Sequence, residues 1–236
     1  MTVQAQTREI LLLMNSPESY IDHTHLKPDA SWAQIEKICR EAKEFQFAAV
    51  CVNPIFIKRV AQLLNDSRVL PITVVGFPLG ANTTALKTDE TLQCIELGAK
   101  EIDMVIPYGE LKAGNDSYVG DEISAIVQAS GKIPVKVILE TAALTDDEII
   151  RGCKLSAKAG AAFVKTSTGF GPGGAKAEHV ALMRKTVGPS MGVKASGGIR
   201  SLEDFEKMIQ AGASRVGSSS SVSIINAYRE AYGNKV

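Results

Sequence analysis

Eight short runs of β-branched and apolar residues recur along the chain: Tyr20 to Thr24, Phe47 to Val52, Pro71 to Val75, Glu101 to Val105, Pro134 to Leu139, Phe163 to Thr166, Gly192 to Ala195, and Arg215 to Gly217. Between them lie stretches with helical spacing of their apolar residues. Two of these open on capping boxes, Ser31-Trp32-Ala33-Gln34 and Thr145-Asp146-Asp147-Glu148, in which a hydroxyl and a Gln or Glu satisfy the first free backbone N–H groups reciprocally. Strands alternating with helices run parallel, with right-handed crossovers. Eight such units in 236 residues predict an α/β fold, a closed (β/α)8 TIM barrel with a short N-terminal helical extension; an open doubly wound sheet is the alternative. No Pro/Gly/Ser-rich linker or low-complexity tract interrupts the pattern, so residues 1–236 read as one domain.

Composition narrows the function. At 45% hydrophobic and 22% charged residues the chain can build a large core. Its 26 basic residues cancel its 26 acidic ones, so it lacks the basic footprint that nucleic-acid phosphates or anionic lipid require. Neither is an expected partner; a small molecule is. The apolar cluster Ile10 to Met14 is far shorter than the ~18 residues of a membrane span and lacks the layout of a secretory signal. Cys39, Cys51, Cys94 and Cys153 are widely spread, which suggests neither a zinc knuckle nor a disulfide framework. A reducing cytoplasm is the expected location.

A weak repeat links three strands. Gly98-Ala99-Lys100-Glu101-Ile102-Asp103, Gly160-Ala161-Ala162-Phe163-Val164-Lys165 and Gly212-Ala213-Ser214-Arg215-Val216-Gly217 each begin with a helix-ending glycine, and Asp103, Lys165 and Gly217 fall at the same offset from it. These positions are expected to face one another at the barrel mouth. Lys165 and Lys194 both end apolar strands, where a solvated lysine is out of place, although each alone could be a rim ion pair. A lysine is a nucleophile only when neutral, and burial or a second ammonium nearby lowers its pKa from ~10.4. Asp103 offers a carboxylate to hold the remaining cation and relay protons. Lys136 complicates the choice, because the two-residue period puts it on one face with Glu140, as an interior ion pair. Position alone does not choose among Lys136, Lys165 and Lys194.

The loops after the seventh and eighth strands, Ser196-Gly197-Gly198-Ile199-Arg200-Ser201 and Gly217-Ser218-Ser219-Ser220, are small and flexible. They let backbone N–H groups and a following helix N-terminus, near Ser201 or Ser220, approach an anion, and phosphate commonly binds there in such barrels. The Gly169 to Gly174 loop stands ready to close over the same ligand. His23-Thr24-His25 is the rival signal, since paired histidines on one strand open the metal sites of barrel hydrolases. The remaining histidine, His179, lies in an expected helix, so no metal is assigned. A non-catalytic sugar-phosphate sensor is a further alternative, against which the two lysines argue.

Taken together, Ile21-Asp22-His23-Thr24, Val50-Cys51-Val52, Val74 to Pro78, Glu101 to Val105, Lys165 to Phe170 and Val193 to Arg200 resemble the deoxyribose-phosphate aldolase family, over about Ile21 to Ser220. The resemblance implies a class I aldolase, free of cofactor and metal, that cleaves 2-deoxy-D-ribose 5-phosphate to D-glyceraldehyde 3-phosphate and acetaldehyde in deoxyribonucleoside catabolism. It implies Lys165 as the Schiff-base lysine, Lys194 as the lysine that depresses its pKa, and Asp103 as the proton relay. Phosphate would fall on Gly197, Gly198, Gly217, Ser218 and Ser219, with Asp22, Thr24, Thr168 and Gly169 along the sugar path. His25 departs from the family's usual aliphatic residue, and Cys51 is expected to be a small apolar filler. A homodimer is the default expectation, and the tail from Tyr228 to Val236 either folds over the site or hangs free.

Overall fold

The structure, a computed structural model, describes residues 16–233. The N-terminal extension therefore lies outside the described residues, apart from a 3-10 turn at Pro17–Tyr20. The strands are β1 (Ile21–His25), β2 (Ala49–Val52), β3 (Leu70–Val75), β4 (Glu101–Val105), β5 (Val135–Ile138), β6 (Phe163–Lys165), β7 (Gly192–Ser196) and β8 (Arg215–Ser218). They pair in parallel in sequence order, and β8 pairs with β1 to close the barrel. The open-sheet alternative is thereby removed.

The helices are α1 (Trp32–Phe45), α2 (Pro54–Leu63), α3 (Thr84–Glu96), α4 (Tyr108–Lys112), α5 (Asp116–Ser130), α6 (Asp146–Lys158), α7 (Ala177–Val187), α8 (Leu202–Gln210) and α9 (Ser221–Tyr232). Both expected capping boxes form, at Ser31 with Gln34 and at Thr145 with Glu148. The repeat glycines Gly98, Gly160 and Gly212 all have positive φ, the left-handed geometry that ends a helix without a Cβ penalty. Tyr228 lies in α9 and is buried, so the tail begins only after Tyr232. Among the described residues no helix is long and apolar enough to cross a membrane.

Each strand alternates two buried faces. Outward residues such as Val50, Val52, Ile102, Met104, Val137, Val164, Val193 and Val216 join the apolar sides of the helices in one large core. Inside the barrel the packing is divided. Ala49, Cys51, Ile72 and Val74 form a small apolar cluster on the β2–β3 side, whereas the remaining strands send charged groups inward. A hydrocarbon plug on one side and ions on the other leave a polar floor beneath the mouth.

Candidate active site

Register explains the floor. Asp103 stands beside Lys136 in the β4–β5 pairing, and Lys165 beside Lys194 in the β6–β7 pairing. Strand neighbours on one face bring their side chains together. Asp103 Oδ2 takes hydrogen bonds from Lys165 Nζ at 2.8 Å and Lys194 Nζ at 2.7 Å, and Oδ1 takes one from Lys136 Nζ at 3.1 Å. Lys194 Nζ also lies 2.5 Å from Asp22 Oδ2. Arg215 completes the ring, with Nε 2.6 Å from Asp22 Oδ1 and a terminal nitrogen 3.1 Å from Glu101 Oε2; Glu101 also accepts from Lys136.

The ring joins three carboxylates, Asp22, Glu101 and Asp103, to Arg215 and the lysines 136, 165 and 194. With Arg215, Lys136 and Lys194 charged, the carboxylates are balanced; a charged Lys165 would leave one buried positive charge uncompensated, which is costly. The direction of each pKa agrees. Burial, with the Lys194 ammonium nearby, holds Lys165 below the usual lysine range against the pull of Asp103. Lys194 is buried too, yet Asp103 and Asp22 raise it above that range. Burial alone would raise Asp103, but the three lysines hold it well below the usual carboxylate range.

Exposure then separates the lysines. Lys165 lines a cavity of about 280 Å³ at the barrel mouth, while Lys136 and Lys194 lie beneath it, fully buried. Thr24, Thr168 and Gly169 form part of the cavity wall; Gly197, Gly198, Gly217, Ser218 and Ser219 form another part. Asp22 and Asp103 sit below with the ion network. Gly217 serves by close approach: a Cβ there would lie 3.2 Å from Lys194 Cε. Cys51 is fully buried, and burial pushes its thiol up to about 11, which suits an inert filler.

The helices that follow the β7 and β8 loops differ. Ser201 caps α8, and the Asp204 carboxylate accepts from the N–H groups of Arg200 and Ser201, so that terminus is already satisfied. The α9 terminus carries no side-chain cap and follows Ser218-Ser219-Ser220 directly. The Ser218 hydroxyl braces the loops, donating to Ile199 O at 2.7 Å and accepting from Ser220 N at 2.9 Å.

One expectation needs correction. Lys136 does not pair with Glu140 but with Glu101 and Asp103. The two-residue period ends at Ile138, and Glu140 turns into the left-handed region, φ 58°, which swings its carboxylate under the next loop. On the outer side of the barrel His23 is bonded to Ser221 Oγ at 2.9 Å and Glu41 Oε2 at 2.8 Å. Arg215 and Glu101 went unassigned from the sequence. The signal available for Arg215 and Glu101 was their place on inward-facing strand positions.

Comparison with known proteins agrees with this chemistry. The model of the DeoC/LacD family of aldolases matches residues 19–228. The chain is 59% identical over 207 residues to a deoxyribose-phosphate aldolase of Streptococcus suis, covering 88% of this chain and 94% of that one. It is 57% identical over 212 residues to one of Geobacillus, covering 89% and 95%. A solved deoxyribose-phosphate aldolase from Aeropyrum pernix, described as tetrameric, superposes with a TM-score of 0.88 at 32% identity, covering 98% of this chain and 100% of that one. With a match spanning the whole barrel and a polar floor of lysines beneath its mouth, this chain belongs to the DeoC/LacD family of aldolases, and is a carbon–carbon lyase.

Proposed function

We propose that the chain reversibly cleaves 2-deoxy-D-ribose 5-phosphate to D-glyceraldehyde 3-phosphate and acetaldehyde, through a Schiff base on Lys165. The observation that carries this reading is the shared carboxylate: Asp103 Oδ2 touches both Lys165 and Lys194, and only Lys165 opens to the cavity. Lys194 holds its proton more tightly than Lys165, because two carboxylates pair its ammonium while Lys165 has only Asp103, which it shares with both other lysines.

The neutral Lys165 amine adds to the C1 aldehyde. Asp103, in contact with both amines, relays through water the proton that the nitrogen loses and the departing hydroxyl gains. Water leaves and a protonated imine forms. The C3 hydroxyl then gives up its proton, the C2–C3 bond breaks, and its electron pair moves into the imine, leaving an enamine and releasing glyceraldehyde 3-phosphate. Protonation at C2 and addition of water release acetaldehyde and restore Lys165. The phosphate rests against Gly197, Gly198 and the uncapped start of α9, whose free N–H groups suit an anion, while Thr24, Thr168 and Gly169 line the sugar path. Such a reaction consumes the sugar phosphate left by deoxyribonucleoside breakdown, a cytoplasmic task.

Borohydride reduction in the presence of substrate or acetaldehyde, followed by peptide mass spectrometry, tests the assignment. A covalent adduct on Lys165 is expected; an adduct on Lys136 or Lys194 instead would overturn it.

A further inference from the structure

Glu140 carries three features that the reaction scheme leaves unused. It is 1% exposed, it adopts a left-handed backbone (φ 58°, ψ 58°) that costs a non-glycine residue energy, and its Oε1 is buried without a hydrogen-bond partner among the described residues. Its flanks explain the backbone. Leu139 N donates to Lys165 O at 3.0 Å and Thr141 N to Thr166 O at 2.9 Å, so both neighbours stay laddered to the β6 segment while Glu140 alone is turned. The turn directs the carboxylate beneath the loop that follows β6.

There Glu140 Oε2 accepts from the Thr168 hydroxyl and, at 3.2 Å, from Thr168 N. The same Thr168 hydroxyl oxygen accepts from Phe170 N at 3.0 Å. Gly171 presses directly on the carboxyl, since a Cβ there would lie 2.6 Å from Glu140 Cδ. One buried carboxylate thus sets the positions of Thr168, Gly169 and Phe170, which line the cavity beside Lys165. The far end of the loop is anchored separately, by Ala175 N donating to Gly197 O at 2.9 Å.

We propose that Glu140 is a positioning residue, which clamps the Thr168–Gly171 turn so that the cavity wall beside Lys165 is already formed when substrate arrives. The kinetic part of the proposal rests on the aldolase reading; the clamp itself does not.

The experiment pairs hydrogen–deuterium exchange of segment 166–172 with steady-state kinetics on deoxyribose 5-phosphate. Glu140→Gly accepts the left-handed backbone and removes only the clamp. Exchange in that segment should quicken about tenfold and KM should rise about tenfold, with kcat within about threefold, given the worth of hydrogen bonds to a charged acceptor. Glu140→Gln, which keeps one acceptor oxygen, should recover most of the KM. Should Glu140→Gly fail to fold, Gly171→Ala, whose methyl displaces the carboxyl, should reproduce both effects. Unchanged exchange in segment 166–172 would overturn the clamp, and quickened exchange with unchanged KM would overturn the positioning role. Quickened exchange in a chain whose wild type leaves deoxyribose 5-phosphate uncleaved supports the clamp and overturns the substrate reading instead.

Discussion

Lys136, Lys165 and Lys194 are the same residue on three consecutive strands, and only their surroundings make them different. Two carboxylates hold Lys194, Glu101 and Asp103 hold Lys136, and Lys165 shares a carboxylate already claimed by its neighbours. Lys165→Arg should lose turnover by at least about a thousandfold in a steady-state assay, because a guanidinium stays protonated and forms no imine. Lys194→Leu removes a positive charge from beside Lys165, which favours the ammonium form of Lys165 and raises its pKa. The acid limb of the kcat/KM profile should therefore move to higher pH, and an unmoved limb would refute the electrostatic role. Only Lys165 ends its strand, and Lys194 sits in the middle of β7. That these lysines lie on strands is legible in the sequence. Which one opens to the cavity is not, since exposure depends on how far each strand reaches up the barrel.

At the scale of elements, the loops of the mouth are held by buried ions far from the chemistry. Lys87 on α3 donates from a fully buried Nζ to Gly80 O at 2.8 Å, Val105 O at 2.9 Å and Glu122 Oε1 at 2.5 Å, so one ammonium joins the β3–α3 loop to β4 and α5. That loop presents Phe77 edge-on to Phe170, with ring centroids 5.4 Å apart. Lys87→Met leaves the Glu122 carboxylate buried and unpaired and should cost about 3–5 kcal/mol in urea denaturation. Adding Glu122→Leu should recover part of that loss. Nothing in Thr84–Glu96 marks Lys87 as buried, because two of its three partners come from distant elements, 18 and 35 residues away.

The whole barrel is organised around an interior that is part hydrocarbon and part ionic. Asp22 closes the network on the β1 side; burial alone would raise its pKa, but Arg215 and Lys194 bring it down from 3.8 to about 2. A carboxylate with a depressed folded pKa adds stability that is complete above its unfolded pKa and is lost as pH falls through the folded one. The denaturation midpoint should fall between about pH 4 and 2, and Asp22→Asn should flatten that part of the curve. The alternation of eight strands with helices, the capping boxes, the repeat glycines and the presence of lysines on the strands were all determined by the sequence, because each rests on contacts within a few residues. Tertiary structure alone decided that Asp103 bridges Lys165 and Lys194, that Lys136 turns to Glu101, and that Glu140 leaves the strand face to hold the next loop. Closing the barrel sets register and height between strands, and those distances across the interior have no counterpart in the spacing along any one strand.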